Sequence, residues 1–374
     1  MSARLVAAGL SAMVAVFTIS ASAGAAPDDR QFGQVLKRAQ QFRDLQMTEE
    51  EEVTLGAAVS ERVRERYGVV QDQAVHRYVS LVGTAVAQAS SRPNINWHFI
   101  VLDTDGVNAF AAPGGYIHIT RGALGLVANE AELAGVLAHE LIHVTNKHAI
   151  KAIQKGKAIQ LGAQETLTGN KAVFLQAVDK TTDVVMAGFG RSEELESDRE
   201  AGRLAERVGY DPHALAVFLT RLSERNKGAS EKQGLFASHP EMKERLDKIG
   251  KQIESEKLMA DITLEPRYRK FISYKTKPQA EITAVAEGTS GLAGGSTKGN
   301  EETKAEAPKK KGFGLGSLLR PGGEEKKSAE VTGSGASRGV DTERGAKGGP
   351  VKTAVTVSLK AADIDAFKKE GNLK

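Results

Sequence analysis

His139-Glu140-Leu141-Ile142-His143 carries the strongest chemical signal in this sequence. Its two histidines are four residues apart, so on a helix their side chains project from the same face. A zinc ion can bridge such a pair at ~2.0–2.1 Å from each imidazole nitrogen. Glu140 would then accept a proton from a zinc-activated water and pass it to the leaving amine. The pentapeptide therefore predicts a zinc hydrolase, against the alternative of two surface histidines on an amphipathic helix.

A catalytic zinc needs a third protein ligand, and the chain has no cysteine to supply one. In metzincins a glycine and a third histidine follow the second ligand closely. Neither His148 nor Gly156 has that spacing, so the metzincin class is excluded. The other histidines, which carry no metal-ligand pattern, are assigned to structure: His76, His98, His148 and His213.

Glu194 is the predicted third ligand. It shares a helix face with Asp198, four residues later. One carboxylate can therefore bind the metal while Asp198 accepts the free ring N–H of His139. An acidic helix start that only favours the helix dipole is the alternative. Glu193 and Glu196 remain alternative ligands.

Helical patterns dominate the sequence. Strands are predicted only at Trp97–Leu102, at Tyr116–Thr120 and near the C-terminus. This balance indicates an α+β, mainly helical fold with a small sheet beside the active-site helix. Helices are predicted from Thr48 to about Tyr67, from Asp72 to before Pro93, from Asn129 to about Ile150, from Glu193 to Val208, from Pro212 to about Arg225 and from Pro240 to about Lys257.

The N-terminus has the pattern of an export signal. Basic Arg4, the apolar stretch Leu5–Ile19 and a run of small residues predict a signal peptide over residues 1–25. Cleavage after Ala23 and cleavage after Ala25 fit equally well, and an uncleaved anchor is the alternative. The expected location is the periplasm, as a soluble protein or one associated with the membrane.

Composition divides the rest of the chain. Residues 27–277 form the predicted zinc metallopeptidase domain. Residues 278–350 are rich in Gly, Lys, Glu, Ser and Pro, which predicts a disordered linker. Residues 351–374 regain the pattern of a short strand and helix. The net charge of +4 fits contact of the basic tail with peptidoglycan or anionic lipid, whereas no basic patch indicates nucleic acid. The oligomeric state is left open.

Five motifs follow one another over about residues 45–275. They are Asn108-Ala109-Phe110 with Pro113-Gly114-Gly115-Tyr116-Ile117, His139-Glu140-x-x-His143, Glu194-x-x-x-Asp198, Gly209-Tyr210-Asp211-Pro212 and Ser238-His239-Pro240. In this order they resemble the gluzincin superfamily of the CAAX prenyl proteases, HtpX and Oma, and within it the soluble, exported BepA-like branch. Relatives often have Ser-Arg where this chain has Arg191-Ser192, and Ser197 departs from their pattern. The carboxylate spacing is unchanged.

The resemblance implies a zincin-like domain in which His139, His143 and Glu194 bind one Zn²⁺ per chain and Glu140 is the general base. It also implies that Tyr116–Thr120 is an edge strand that pairs with the substrate backbone. The predicted substrate-binding residues are Asn108, Gly114, Gly115, Tyr116, Ile117 and His118.

His239 and Arg245 are the remaining catalytic candidates. His239 would either occupy the open metal position in a resting state or donate to the oxyanion. Arg245 is the second oxyanion candidate. Capping and surface charge are the alternatives for both.

The leading hypothesis is an exported zinc endopeptidase that hydrolyses unfolded or misassembled envelope proteins. A chaperone or assembly factor with latent protease activity is the alternative, although a binding protein has no need of Glu140. A third hypothesis is an envelope-tethered protein whose basic tail keeps the protease local.

Overall fold

Helices surround a small sheet in the part of the chain that the computed structural model describes, residues 47–155, 171–226, 238–239, 242–278 and 351–374. This confirms the predicted α+β, mainly helical class. The helices are α1 (Glu49–Tyr67), α2 (Gln73–Gln88), α3 (Arg121–Leu126), α4 (Glu130–Thr145), α5 (His148–Lys155), α6 (Lys171–Ala187), α7 (Arg191–Val208), α8 (Ala214–Arg225), α9 (Met242–Glu256), α10 (Glu265–Phe271) and α11 (Ala361–Glu370).

The sheet has three strands in the order β1-β3-β2. They are β1 (His98–Leu102), β2 (Ala109–Ala112) and β3 (Tyr116–Thr120). β3 pairs in parallel with β1 and antiparallel with β2, so it is the central strand. The prediction of an edge strand at Tyr116–Thr120 is wrong. The short 3₁₀ turn Pro113–Gly115 folds β2 back onto one side of β3, and β1 covers the other side.

Both faces of the sheet are buried. Phe99, Val101 and Ile117 belong to the core formed with α2, α4, α7 and α8. Ile100 and Phe110 point the opposite way, into a second core with α1 and α6. Because side chains alternate along a strand, one short sheet supplies apolar surface to both layers.

α4 is the central helix, and every residue from Glu130 to Thr145 is buried. Asn129 caps it by accepting from the Glu132 N–H at 2.9 Å, while the Glu132 carboxylate accepts from the Ala128 backbone N–H and from the Asn129 side-chain amide. The predicted continuation to Ile150 is wrong. Lys147 adopts φ 54°, a left-handed conformation that stops the helix, and α5 starts afresh after it.

A buried carboxylate fixes the start of α4. Glu130 accepts hydrogen bonds from Tyr78 (2.8 Å) and Tyr210 (2.7 Å), and Arg267 pairs with it from α10. Arg267 also donates to the Phe367 carbonyl of α11 at 2.8 Å. Buried charges are stable only when paired in this way. The C-terminal helix is therefore linked through one arginine to the first turn of the central helix.

Other predicted helix boundaries agree with the structure. The capping box of Thr48 and Glu51 is present at the start of α1. α7 begins at Arg191, two residues before its predicted start, and ends before Gly209 as expected. Gly209 has φ 102°, a conformation that glycine adopts without a Cβ penalty.

The predicted C-terminal elements have different outcomes. The helix is present as α11, and its Phe367 joins the main core. Residues 351–359 belong to no strand. The signal peptide 1–25 and all but the first residue of the linker 278–350 lie outside the described residues. Among the helices that are described, none is both long and apolar enough to cross a membrane.

Candidate metal centre

The central helix brings the two motif histidines together. His139 and His143 are both buried on α4, and their Nε2 atoms lie 3.0 Å apart. Each imidazole can direct this nitrogen to the same point because one helical turn separates the residues. The spacing therefore produces the paired donors expected from the sequence.

α7 packs against α4 and adds a carboxylate to the pair. Glu194 is fully buried, with Oε2 3.4 Å from His139 Nε2 and Oε1 3.5 Å from His143 Nε2. Asp198 lies one turn later, 2.9 Å from the other ring nitrogen of His139. The structure thus places all three predicted ligands, and the predicted supporting aspartate, around one point.

His239 is the fourth group at this point. Its Nδ1 lies 2.9 Å from Glu194 Oε2 and 3.3 Å from His139 Nε2. The four donor atoms of His139, His143, Glu194 and His239 all lie within 4.8 Å of one another. Donors ~2.0–2.1 Å from a tetrahedral zinc are about 3.3–3.4 Å apart. The donor set and its spacing therefore fit a tetrahedral zinc ion.

Glu140 faces the centre without belonging to the donor set. Its Oε1 lies 3.6 Å from His239 Nε2, and its buried Oε2 has no hydrogen-bond partner among the described residues. Burial raises the pKa of Glu140 above its usual value. A general base works best when its pKa approaches the operating pH. The carboxylate is therefore suited to accept a proton from a group that takes the place of His239.

The charged groups around the metal centre shift the pKa values of its ligands. Burial alone would raise the pKa of Glu194, but His239 and Arg245 hold it well below the usual value. Burial alone would lower the pKa of His139, but Asp198 and Glu194 raise it to about 9. A metal ion must displace that imidazolium proton, so metal binding by this centre releases protons.

Arg245 supports the carboxylates from α9. Its Nε and Nη2 donate to the two oxygens of Asp198 at 2.7 Å each, and Nη1 lies 3.1 Å from Glu194 Oε2. Nη1 also donates to the His239 carbonyl at 3.3 Å. These contacts orient the ligand set. In this structure the guanidinium is held by these contacts to Asp198, Glu194 and the His239 carbonyl. The oxyanion role of Arg245 therefore stays a prediction.

The histidine-support pair, His148 and Glu196, is what sequence reasoning missed. His148 Nδ1 lies 2.8 Å from His143 Nδ1, and its Nε2 lies 3.1 Å from Glu196 Oε2. The Phe189 ring stacks on His143 with centroids 4.2 Å apart. His143 thus gains an orienting partner, as His139 gains Asp198. The only sequence signal is that His148 and Glu196 closely follow the two predicted ligand motifs.

We expect His148→Ala to lower zinc affinity about 10–100-fold, because partners that orient a metal-bound imidazole contribute this much. Competition with a fluorescent zinc chelator measures the change. His213→Ala, which removes an exposed histidine, is the matched control and should leave the affinity unchanged. Equal affinities for the two variants would contradict the orienting role.

The predicted substrate-binding residues do not form one surface. Ile117 and His118 are fully buried, and His118 Nε2 is 2.8 Å from Ser60 Oγ. Burial lowers the pKa of His118 to about 3, so its ring is neutral. Gly114 and Gly115 are buried in the turn against α1 and residues 95–96, where their positive φ angles and close contacts exclude a side chain. Substrate pairing along β3 is therefore excluded, because both of its edges are already paired.

Asn108 is the one member of that set joined to the metal centre. Its side-chain oxygen accepts from Ser238 Oγ at 3.2 Å. On the opposite side, a Cβ on Gly188 would lie 1.7 Å from the Ser238 carbonyl oxygen. Gly188, at φ 85°, therefore lets Ser238 approach closely. Asn108 and Gly188 together hold the residue that precedes His239.

Comparison with known proteins supports this site. Residues 73–253, which include all four donors, match peptidase family M48. The chain is 26% identical over 209 residues to the beta-barrel assembly-enhancing protease of Escherichia coli, covering 52% of this chain and 42% of the relative. It is 30% identical over 178 residues to the mitochondrial metalloendopeptidase OMA1 of Schizosaccharomyces pombe, covering 46% and 51%.

A third relative is the metalloprotease YcaL of Escherichia coli, 28% identical over 165 residues, which cover 43% of this chain and 63% of YcaL. The chain thus spans about half the length of the curated relatives it matches. The family match over residues 73–253 contains the metal centre.

Proposed function

We propose that the chain is a zinc-dependent endopeptidase, because its residues 73–253 match peptidase family M48. The observation that carries this proposal is the convergence of His139, His143 and Glu194 beside the buried carboxylate of Glu140, whose Oε2 has no hydrogen-bond partner among the described residues. A purely structural zinc site has no use for a base at that position. A catalytic one needs it.

Each residue of the metal centre has a distinct part in the proposed reaction. His139, His143 and Glu194 hold the zinc, which when bound supplies Lewis-acid activation of water and of the scissile carbonyl. Glu140 accepts the proton of the attacking water and returns it to the leaving amine. Asp198 and Arg245 keep the ligands in position through the contacts at 2.7–2.9 Å.

His239 is proposed to hold a resting state. Its ring lies between the ligand atoms and Glu140, where an attacking water would have to stand. Residues Ser238 and His239 must therefore move before a peptide bond can reach Glu140. The alternative proposal is that the same imidazole donates to the oxyanion.

We expect His239→Ala to raise cleavage of a short fluorogenic peptide about tenfold, because a contact with a charged carboxylate is worth about 1.5–3 kcal/mol and its loss favours the open state. Initial rates at saturating zinc measure the effect. The control is His213→Ala, because His213 is exposed whereas His76 is buried. A large fall in rate would favour the oxyanion role over the resting-state role.

The proposed substrates are unfolded or misassembled proteins of the cell envelope. The N-terminal signal pattern supports export to the periplasm. The relative named a beta-barrel assembly-enhancing protease supports action during envelope protein assembly. The ligands' burial requires the cleaved bond to be drawn into a narrow site, and an extended, unfolded chain can enter it more readily than a folded surface.

We expect removal of zinc by a chelator to abolish casein cleavage, and stoichiometric zinc to restore it, because the proposed mechanism has no nucleophile without the metal. Zinc content by atomic absorption and the release of casein fragments are measured on the same samples. Magnesium, which prefers oxygen ligands, is the control ion and should not restore cleavage. Cleavage that persists without zinc would contradict the proposal.

A second candidate function is that of an envelope chaperone or assembly factor with latent protease activity. The placement of His239 across the site favours it, because a closed site binds partners without cleaving them. Complementation of a deletion strain separates the two functions. If Glu140→Gln restores envelope assembly as well as the wild type, binding is the main function.

A further inference from the structure

A cavity of about 620 Å³ lies along α1, α2 and the first half of β1. Its walls include Arg64, Trp97 and Tyr116, and none of the metal-centre residues lines it. Residues 354–359 form a further wall. We call this space the β1 groove. Cavities of about 300–1,000 Å³ are typical of ligand sites.

The domain holds residues 351–356 by their main chain, and of these residues 354–356 line the β1 groove. Four donors from the body of the domain each reach one carbonyl of the segment. Carbonyls are present in every polypeptide, so these contacts do not depend on which side chains the segment carries. The four pairs are Val69 N–H with Val351 at 2.7 Å, Arg64 with Lys352 at 2.7 Å, Gln71 with Thr353 at 3.1 Å and Gln73 with Thr356 at 3.0 Å.

The side chains of the segment alternate. Val355, Val357 and Leu359 are half-buried, whereas Thr356 and Ser358 are exposed. Period-two burial is typical of an extended chain lying on an apolar surface. The cavity remains beside the segment, so its valines and leucine do not fill the space available. A chain with larger apolar side chains at alternate positions would fill it better.

Trp97 lines the groove and carries a polar group. Its indole N–H is buried and has no hydrogen-bond partner among the described residues. An unsatisfied buried donor costs about 1–3 kcal/mol. A carbonyl of a bound chain would remove that cost. The stacked rings of Tyr116 and His98, with centroids 4.5 Å apart, supply flat apolar wall nearby.

We propose that the β1 groove is a second polypeptide-binding site, specific for extended segments whose large apolar side chains alternate. Residues 354–359 occupy it as a displaceable placeholder, while α11 keeps the C-terminus anchored through Phe367. The inference rests on the proposed function in that the bound polypeptide is part of a protein substrate. Such a site would hold a long substrate while another part of it enters the metal centre.

The full-length chain carrying Glu140→Gln is used for the test, so that bound peptide is not cleaved. Trp97 is the single tryptophan of the chain, so intrinsic fluorescence reports directly on the groove. The probe is a nine-residue peptide that copies residues 352–360 with phenylalanine at the positions of Val355 and Val357. We expect a saturable change in tryptophan fluorescence with this peptide and none with a scrambled peptide of the same composition.

Variants in the same background decide between binding and simple packing. Val355→Asp combined with Val357→Asp should weaken the binding of residues 354–359 in the groove. The affinity for the peptide should then rise about fivefold, because the chain's own segment occupies the groove in fewer molecules. Gln71→Ala combined with Gln73→Ala, added to the chain that already carries Val355→Asp and Val357→Asp, removes two carbonyl donors from a groove the segment no longer fills and should lower the affinity about tenfold. Gln176→Ala, at an exposed position of α6, is the control and should change nothing.

Absence of saturable binding would overturn the inference, and so would equal affinity in all the variants. Either result would leave the β1 groove as an internal packing defect. Neither result bears on proteolysis, which the zinc and casein experiment measures separately. Conversely, if casein is not cleaved but the peptide binds as expected, the groove remains a binding site and the proposed protease activity fails.

Discussion

Glu140→Gln is expected to lower casein cleavage about a thousandfold, because general base catalysis contributes about 10²–10⁴-fold. Zinc should remain bound at one ion per chain, since the Glu140 carboxylate lies outside the set of four donors. Glutamine has nearly the same shape but cannot accept a proton at neutral pH. The loss should therefore appear in kcat, with little change in KM. Casein cleavage and zinc analysis of the same preparation measure both quantities.

Glu254→Gln is the matched control for this substitution. Glu254 is exposed on α9, so its replacement should leave both zinc content and cleavage unchanged. Replacing the buried carboxylate of Glu140 by an amide also relieves a desolvation cost. The melting temperature of Glu140→Gln should thus equal or exceed that of the wild type. If the variant cleaves casein as fast as the wild type, Glu140 is not the base and another group must accept the proton.

The metal centre was predictable because its information is local. On one helix, the spacing of His139 and His143 fixes their relative direction, and the spacing of Glu194 and Asp198 does the same on another. Only the packing of α4 on α7 had to be supplied by the fold. Helix ends were predictable for the same reason: Thr48, Asn129 and Gly209 act on the residues beside them.

The order of the strands was not predictable in this way. Alternation shows that Tyr116–Thr120 is a strand, but it carries no information about which strands lie beside it. β2 has only the four residues Ala109–Ala112, all of them buried. So short an apolar run lacks the polar alternation that marks a strand, and no strand was predicted there. Once β2 is recognised, β3 becomes central and cannot be an edge.

The support pair His148 and Glu196 escaped prediction because it depends on the end of a helix. A continuous helix to Ile150 would keep His148 in the regular repeat of α4. The left-handed Lys147 ends that repeat, and α5 begins at His148. The His148 ring then reaches His143 Nδ1 at 2.8 Å. A positive φ at a lysine has no reliable sequence signature, since this conformation is disfavoured for lysine outside such contexts.

Glu194→Gln is the second substitution for which we expect a large effect, because it removes the only carboxylate among the four donors. An uncharged amide is a weak zinc ligand, whereas the carboxylate is held ionised by His239 and Arg245. Zinc content should fall far below one ion per chain after dialysis. Metal activation is worth several kcal/mol, so cleavage should fall about a thousandfold or more.

Glu193→Gln and Glu196→Gln test whether Glu194, rather than a neighbouring carboxylate, is the zinc ligand. Glu193 lies 3.6 Å from Lys155 at the surface and Glu196 faces His148, so neither carboxylate touches the donor set. We expect Glu193→Gln to retain zinc and activity, and Glu196→Gln to weaken zinc about 10-fold through His148. Circular dichroism would show that all three variants fold. Loss of zinc from Glu193→Gln but not from Glu194→Gln would move the ligand to the neighbouring position and contradict the proposed centre.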